Sequence, residues 1–191
     1  HWDLVKAKRL FHDVSEQGYS EESLLSVTQE HGVIPRDKLE DRVVMPLGNV
    51  DKYKLIEEGD FAISLRSFEG GIEYSRYRGL VSPSYTVLKT EEEVHEPYFR
   101  HLFKSSRFVD ALHSISRGIR QGKTINYSDF GELYLPVPPK EEQRSIAFHL
   151  DEKTDQIDEY IAKKRELINL LETQRRAVIN RAVTEGLDDG V

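Results

Sequence analysis

The most regular pattern of apolar and polar residues in this 191-residue chain lies in its last third. Beyond a proline cluster at residues 136–139, no glycine or proline occurs before Gly186, and apolar side chains recur at steps of three, four and seven. Such spacing places side chains on one face of an α-helix. The stripe comprises Ile146, Leu150, Ile157, Ile161, Ile168, Leu171, Val178 and Ala182. The pattern predicts a helix of roughly 45 residues that begins at Pro139 and bends or breaks, if anywhere, at Asp151–Asp155.

A helix of this length with one apolar face requires another helix against that face. A single solvated helix would leave several side chains in water, at about 1.5–3 kcal/mol each. The pattern does not say whether the partner helix belongs to the same chain, a second copy or another protein. We therefore predict a spacer or dimerisation arm, whose contact residues are Ile157, Ile161, Ile168, Leu171 and Val178.

The first two-thirds of the chain show shorter and less regular patterns. Short apolar runs before residue 30 predict short strands, and Phe61–Leu65 and Leu80–Leu88 predict two more. Pro83 would place the second of these at the edge of a sheet or introduce a β-bulge. A helix is predicted over Glu96–Ser116. A short strand over Glu132–Leu135 precedes the prolines.

These elements predict an α+β fold class. A globular domain with a small mixed sheet and helices, residues 1–137, is followed by a long C-terminal helix, residues 138–191, that forms an antiparallel coiled coil.

Composition narrows the classes of function. The chain has 27 basic and 34 acidic residues, giving a formal charge of −7, which argues against polyanion binding driven by total charge alone. The absence of cysteine excludes disulfides and thiolate metal sites. No apolar run reaches membrane-spanning length and no signal peptide opens the chain, so we expect a soluble, cytoplasmic protein. Because the sequence begins at His1, we expect a trimmed fragment.

Basic residues are concentrated between positions 100 and 123, where Asp110 is the one acid. This basic island consists of Arg100, Lys104, Arg107, Arg117, Arg120 and Lys123. It predicts a phosphate-binding surface, the alternative being a solvated face balanced by acids elsewhere. Within it, Arg120-Gln121-Gly122-Lys123 combines side chains that bond base edges in pairs with a glycine that lets a loop enter a groove.

A second group of loop residues surrounds a glycine pair. Arg66, Arg76, Tyr77 and Arg78 are its polar and basic members, and Ser67, Gly70 and Gly71 shape one loop. The glycines would allow close approach of backbone to another molecule. Solvation of each arginine is the simpler alternative.

Catalytic motifs are missing from the sequence. There is no His-Glu-x-x-His spacing, no phosphate-cradling loop ending in Lys-Ser/Thr and no complete dinucleotide motif. The run at residues 135–139, Leu-Pro-Val-Pro-Pro, has neither the asparagine nor the aromatic residue of the Asn-Pro-Pro-aromatic motif of amino-methyltransferases. We expect no active site, no metal and no cofactor.

Several motifs together resemble the specificity subunits of type I restriction–modification enzymes. Leu135–Pro139, Glu142-Gln143 and a long helix ending in Arg176–Leu187 are similar to their helical spacer. Gly59 through Gly70-Gly71 to Tyr85, and the loop Gln121–Asn126, look like parts of their target-recognition domains.

The resemblance implies a non-catalytic subunit that recognises DNA. Such subunits carry two recognition domains, each reading one half of a bipartite double-stranded target, and recruit methyltransferase (modification) subunits and, in the full complex, restriction subunits. This chain has one recognition domain and one helix, which implies a half-subunit or fragment whose helix pairs antiparallel with a second copy. Docking of the modification subunit is expected at Ile179–Leu187 and Pro138–Gln143.

The DNA-binding residues expected on these grounds come from both loop groups. They are Arg66, Ser67, Gly70, Gly71, Arg76, Arg78, Arg117, Arg120, Gln121 and Lys123. A coiled-coil scaffold or adaptor that does not bind DNA is the competing hypothesis, and salt-dependent binding to duplex DNA would separate the two.

Overall fold

A computed structural model describes residues 2–39, 50–65, 67–91, 94–116 and 125–186 of the chain. The chain divides into two compact units, His1–Ala147 and Phe148–Val191. The predicted domain boundary after Val137 stays a prediction.

Unit 1 contains short strands and helices of the predicted α+β class. The described strands are β1 Asp3–Lys6, β2 Phe11–Val14, β3 Leu25–Thr28, β4 Gly32–Pro35, β5 Lys54–Ile56, β6 Phe61–Ile63, β7 Glu73–Tyr74, β8 Gly79–Val81, β9 Thr86–Thr90 and β10 Tyr134–Val137. The described α-helices are α1 Ser67–Gly70, α2 Glu96–Leu102, α3 Ser106–Ile115, α4 Tyr127–Gly131 and α5 Lys140–Thr184, the last continuing through unit 2. Short 3₁₀ turns lie at Ala7–Arg9, Arg36–Lys38 and Val50–Lys52.

The strands form small antiparallel sheets. The largest described sheet has the order β2-β9-β6-β7, and β1-β10, β3-β4 and β5-β8 form separate pairs. Two isolated parallel bridges, Leu24 to Leu80 and Val33 to Ser75, join the β3-β4 pair to its neighbours. Apart from these bridges, the described strand pairs are antiparallel, and the pairs β1-β10 and β2-β9 join strands that are far apart in the sequence.

An aromatic core joins the largest sheet to helices α2, α3 and α4. Phe11, Phe61, Phe99, Phe103 and Phe130 are each less than 2% exposed. The ring of Phe11 lies 5.2–6.0 Å from the other four, mostly edge to face, which is the arrangement that aromatic quadrupoles favour. These rings supply much of the apolar area that unit 1 removes from water.

The central strands are buried on both faces. Phe61 and Ile63 of β6 point into the aromatic core, whereas Ala62 packs in a second cluster with Val81 and Val87. In the sequence, such strands are continuous apolar runs, whereas a strand buried on one face alternates apolar and polar residues.

Two predicted elements are each divided in the structure. The predicted strand Leu80–Leu88 is two strands, β8 and β9, which pair with different partners, because a turn at Ser82–Tyr85 contains Pro83. The predicted helix Glu96–Ser116 is also two helices. The first ends at Leu102, and Ser105 caps α3 by accepting a hydrogen bond from the Phe108 amide, a signal that apolar spacing does not carry.

The segment predicted as the glycine loop contains regular structure. Residues 67–70 form α1 and Glu73–Tyr74 form β7, which pairs with β6.

The long helix α5 is continuous over 45 residues, so the break considered at Asp151–Asp155 is absent. The carbonyl of Pro139 accepts a hydrogen bond from the Gln143 amide at 3.0 Å, which places Pro139 just outside the helix, so that α5 begins at Lys140, one residue after the predicted start. Within unit 1, Gln143 and Ala147 of this helix are buried.

In unit 2, no described residue is buried. The five predicted contact residues are 40–62% exposed: Ile157, Ile161, Ile168, Leu171 and Val178. The apolar stripe is thus exposed at these five positions, whereas Ile146, at its start, packs against the core of unit 1.

Gly71 offers a test of how tightly unit 1 is packed. It has φ +84°, and a Cβ there would lie 2.0 Å from the carbonyl oxygen of Phe103, whereas Gly59, at φ +96°, has open space. We expect Gly59→Ala to cost about 1–2 kcal/mol, the strain of positive φ alone, and Gly71→Ala to cost at least about 3 kcal/mol. Urea unfolding of both variants measures the difference. Equal costs would show that the Phe103 backbone yields.

Candidate nucleic-acid interface

The predicted DNA-binding residues divide into those the structure describes and those it does not. Arg66, Arg117, Arg120, Gln121 and Lys123 lie outside the described residues. Their contribution to an interface stays a prediction.

The described glycine-loop residues make contacts within their own chain. Ser67 is 1% exposed, and its Oγ accepts a hydrogen bond from the Ser64 amide at 2.8 Å. A Cβ on Gly70 would lie 2.9 Å from the Gln29 side chain, and Gly71 approaches Phe103. The glycines therefore have a structural reason of their own, because they let this segment pack against the rest of unit 1.

The two described arginines of this group differ in their surroundings. Arg76 is exposed. Arg78 forms ion pairs with Glu22, at 2.7 Å, and with Glu57, and its guanidinium lies 5.9 Å from the Tyr19 ring centre. A phosphate that contacts Arg78 would compete with two carboxylates, whereas Arg76 is the more accessible cation.

Glu57 belongs to a wider ion-pair network. Lys89 Nζ lies 2.8 Å from Glu57 and 3.1 Å from Glu16. The hydrogen bond from Lys89 lowers the pKa of Glu57 below its usual value. This part of the surface is locally neutralised.

Lys104 of the basic island connects three segments. Its Nζ lies 2.6 Å from Glu73 Oε1, 2.9 Å from the Gly70 carbonyl oxygen and 3.3 Å from the Gln29 carbonyl oxygen. This lysine therefore ties the end of α1, strand β7 and the turn after β3 together. Its charge is directed inward, toward a buried carboxylate.

The other described island residues lie on α2 and α3. Arg100 stacks at 5.7 Å from the ring centre of Tyr74, and Arg107 is exposed on α3. Among described residues, the island is therefore part structural contact and part solvated surface.

Two buried carboxyl groups lie close to these segments. Burial raises the pKa of Glu73 to about 7, with partial compensation by Lys104, and Glu73 Oε2 has no hydrogen-bond partner among the described residues. Burial also raises the pKa of Asp60 to about 6, although its Oδ2 accepts a hydrogen bond from the Glu57 amide at 2.8 Å.

A cleft of about 840 Å³ opens beside the turn between β3 and β4. It is lined by Val27, Thr28, Gln29, Glu30, His31, Lys38, Leu39, Ser64, Leu65 and Tyr85. Lys38 Nζ donates a hydrogen bond to the Tyr77 hydroxyl at 2.9 Å and lies 4.8 Å from that ring's centre. Sequence reasoning did not identify this cleft. The one signal for it was the polar tip Gln29-Glu30-His31 before Gly32, which takes φ +70°.

Within the described ranges, no three His, Asp or Glu side chains are grouped so that they could hold a metal ion. None of the described helices is both long and apolar enough to cross a membrane.

Comparison of the sequence with known proteins gives one consistent class. No protein-family model matches the chain. The specificity subunit of the type I restriction enzyme EcoKI from Escherichia coli (strain K12) is 30% identical over 103 residues, 54% of this chain and 22% of that protein. The StySPI specificity subunit from Salmonella potsdam is 30% identical over 98 residues, 51% of this chain and 21% of that protein.

A third relative extends the match. The putative MjaX specificity subunit from Methanocaldococcus jannaschii is 24% identical over 131 residues, 69% of this chain and 29% of that protein. The chain thus spans less than a third of the length of the curated relatives it matches.

Solved structures show the same architecture. The HsdS subunit from Thermoanaerobacter tengcongensis matches 97% of this chain and 45% of that chain with a TM-score of 0.60 and 17% identity. A chain from a structure that addresses complex assembly and conformational transition of the type I R-M system matches 97% of this chain and 46% of that chain. Its TM-score is 0.66 and its sequence identity is 16%. The type I restriction–modification S subunit from M. genitalium matches 92% of this chain and 43% of that chain, with a TM-score of 0.54 and 18% identity.

Sequence and fold therefore relate the chain to type I specificity subunits, which confirms the predicted resemblance and the α+β class with a long C-terminal helix. The relatives are specificity subunits of restriction enzymes, in agreement with the prediction of a non-catalytic component of an enzyme complex.

The raised pKa of Glu73 gives unit 1 a defined pH dependence. Its pKa of about 7 in the folded protein lies above the ordinary value of 4.5, so the folded protein binds this proton more tightly than the unfolded chain does. The resulting stabilisation is complete below pH 4.5 and is lost as pH rises through 7. We expect the unfolding free energy to fall over this window by an amount on the order of 3 kcal/mol relative to Glu73→Gln. Urea unfolding at several pH values measures it, with Asp60 titrating in both proteins. Parallel curves would mean that Lys104 keeps Glu73 ionised throughout.

Proposed function

We propose that this chain, a relative of the type I restriction enzyme specificity subunits, reads one half of a bipartite DNA target through unit 1. The likeness in sequence and fold to specificity subunits carries this proposal. Because the chain matches 43–46% of each solved relative, a single recognition unit and a single long helix fit half of the larger architecture. Phosphate contacts would set the register on the duplex, and base contacts would specify the sequence.

The exposed stripe on α5 supports pairing with a second copy of the chain. Five apolar side chains at helical spacing remain 40–62% exposed, and their transfer from water is worth about 1.5–3 kcal/mol for each side chain fully buried. A two-fold pair buries the same stripe on both helices and supplies a second reader. The contact residues are Ile157, Ile161, Ile168, Leu171 and Val178.

Charge along unit 2 favours an antiparallel arrangement. Residues 148–159 contain five acids and one lysine, whereas residues 160–186 contain six basic residues and three acids. In a parallel pair, like-charged halves would lie side by side. In an antiparallel pair, the acidic half of one helix faces the basic half of the other, which selects this orientation.

The junction before α5 is a candidate docking surface for a methyltransferase subunit. Gln143 is 2% exposed; its side chain donates to the Pro138 carbonyl at 2.9 Å and accepts from the His95 amide at 3.3 Å. These bonds fix the segment Pro138–Gln143 beside a cleft of about 620 Å³ with an apolar floor that includes Val5 and Phe99. A fixed, partly apolar surface suits a protein partner. Ile179–Leu187 would be the second docking segment, and restriction subunits would join in the full complex.

The alternative of a scaffold or adaptor would also use the exposed stripe. It differs in making no contact with DNA. Salt dependence of duplex binding separates the two functions, because each phosphate contact releases counterions.

Arg76 provides the sharpest test of DNA contact among the described predicted residues. We expect Arg76→Ala to weaken duplex binding and to reduce the salt slope by about 1, because one phosphate contact is lost. Arg9→Ala, which removes the same charge from a position outside the predicted interface, should leave both unchanged. Fluorescence anisotropy with a labelled duplex across a salt series gives the slope.

The proposed function itself is tested in the assembled complex. The chain is co-expressed with its methyltransferase subunit, and methylated adenines in a plasmid are mapped. A repeated bipartite motif supports the proposal. An absence of both methylation and salt-dependent binding would leave the adaptor function standing.

Pairing of the helices is tested at the centre of the stripe. We expect Ile161→Asp combined with Ile168→Asp to weaken dimerisation at least ~100-fold, since apolar contacts on both copies are lost and charges are placed in the seam. Thr173→Asp, on the opposite face at 100° per residue, should leave the dimer intact. Sedimentation equilibrium measures the constant. A monomeric parent protein at tens of micromolar would contradict pairing of the helices.

A further inference from the structure

The turn between β3 and β4 has a fixed backbone. Its tip, Gln29–His31, is closed from within by Thr28, whose Oγ1 donates to the Gly32 carbonyl and accepts from the His31 amide, both at 3.0 Å. Gly32 completes the turn in the left-handed region at φ +70°. The tip is thus a defined local structure.

Other parts of unit 1 hold the tip from outside. Lys104 Nζ donates to the Gln29 carbonyl at 3.3 Å and also to Gly70 and Glu73, so the tip and the end of α1 share one anchor. A Cβ on Gly32 would lie 2.8 Å from the Tyr74 carbonyl oxygen, which shows how closely the turn approaches β7. These contacts involve backbone atoms of the tip.

The side chains of Glu30 and His31, in contrast, face solvent, whereas the Gln29 side chain also lies close to Gly70. The side chains of Glu30 and His31 are 88% and 64% exposed, and Gln29 is also exposed. A short segment with a fixed backbone and exposed polar side chains can bind a partner with little loss of its own conformational entropy.

The chemistry of these side chains suits base edges. Glutamine pairs with the N6 and N7 of adenine, a carboxylate accepts from the N4 of cytosine, and apolar groups contact the methyl group of thymine. Leu65, which lines the same cleft and is 53% exposed, supplies the apolar group, and Lys38 supplies a cation on the cleft wall.

Glu30 decides between reading phosphates and reading bases. An exposed carboxylate at the outermost point of a turn repels a phosphate backbone, so the tip is unsuited to non-specific grip. The same carboxylate is useful where it meets the amino group of a base. A tip with this charge is therefore better suited to contact with base edges in a groove than to contact with phosphates.

We propose that the tip Gln29–His31 is a base-reading element that enters a groove of the duplex, with Leu65 beside it and Lys104 as its positioning residue. The inference rests on the proposed DNA-recognition function and extends it to residues outside the predicted DNA-binding set. Gln29 and Glu30 determine the sequence preference, and Lys38 contacts the backbone.

The test uses the full chain and a library of randomised duplexes, enriched in parallel with the parent protein, Gln29→Ala, Glu30→Ala and Lys38→Ala. We expect Gln29→Ala and Glu30→Ala each to lose about 5- to 100-fold discrimination at one base pair and to leave the rest of the motif intact. Glu30→Ala should bind non-specific duplex as well as or better than the parent, because a repulsive charge is removed. Lys38→Ala should weaken binding equally on all sequences.

Glu21→Ala is the matched control, since it removes the same charge from an exposed position before β3 rather than after it. Thermal unfolding of each variant confirms that the turn, whose internal bonds use Thr28 and backbone atoms, is retained.

The outcomes separate this inference from the function on which it rests. If the parent protein enriches a motif and the tip variants keep the same preferences, or lose affinity uniformly, the tip does not read bases and the proposed function survives. If the parent enriches no motif and shows no salt-dependent binding, the proposed function fails and the inference fails with it.

Discussion

An apolar face that its own unit does not cover is the constraint on which the molecule's organisation depends. Helix α5 runs for 45 residues without interruption, and no described residue of unit 2 is buried. Isolated helices derive little stability from propensity alone, so a helix of this length depends on packing along its apolar side. The charge asymmetry of unit 2 adds direction to that requirement, because acidic and basic halves complement each other in one orientation. An apolar pattern and an electrostatic pattern along the helix thus both support the proposed pairing.

Unit 1, in contrast, holds short polar loops in fixed positions. Its sheets are small, and its stability comes from a dense group of phenylalanine rings beneath them. Lys104 then links the tip after β3, the end of α1 and β7 through one ammonium group. Burial of Glu73 has a cost in desolvation, which its raised pKa records, and removal of Lys104 would leave this buried carboxyl group without its cationic partner. We interpret this pair as a device for positioning loops more than for stability.

Sequence patterns predicted the long helix well and the compact unit only in outline. The helix repeats one simple period over many turns, so its face and its start, within one residue, follow directly. The division of the Glu96–Ser116 helix depends on one cap at Ser105, and the division of Leu80–Leu88 depends on one turn at Pro83. A single capping residue or turn is a weak signal in a sequence, yet it decides where a helix or strand ends in the structure.

The candidate site shows a second limit of sequence reasoning. Gly70 and Gly71 correctly mark a place where backbone comes close, but the sequence does not say whether the neighbour is DNA or the chain itself; here it is Gln29 and Phe103. Lys104 is part of a basic run in sequence, yet it pairs with a carboxylate 31 positions away. Gln143, which looked like a docking residue, bonds His95 across 48 positions. Charge and motif therefore located the relevant segments, whereas the role of each side chain depended on long-range contacts.

Separation of the two tasks has a physical consequence for specificity. Under the proposed function, the sequence that is read depends on exposed side chains at loop positions such as the tip after β3, where substitutions leave the core phenylalanines untouched. In the proposed pair, the distance between two readers depends on the length and pairing of α5, where loop substitutions have no effect. A protein built this way can change the half-site it reads without changing the gap, because exposed loop positions carry little of the folding free energy. The converse also holds for the proposed pair, since the five contact residues of the stripe belong to unit 2 and the proposed reading loops belong to unit 1.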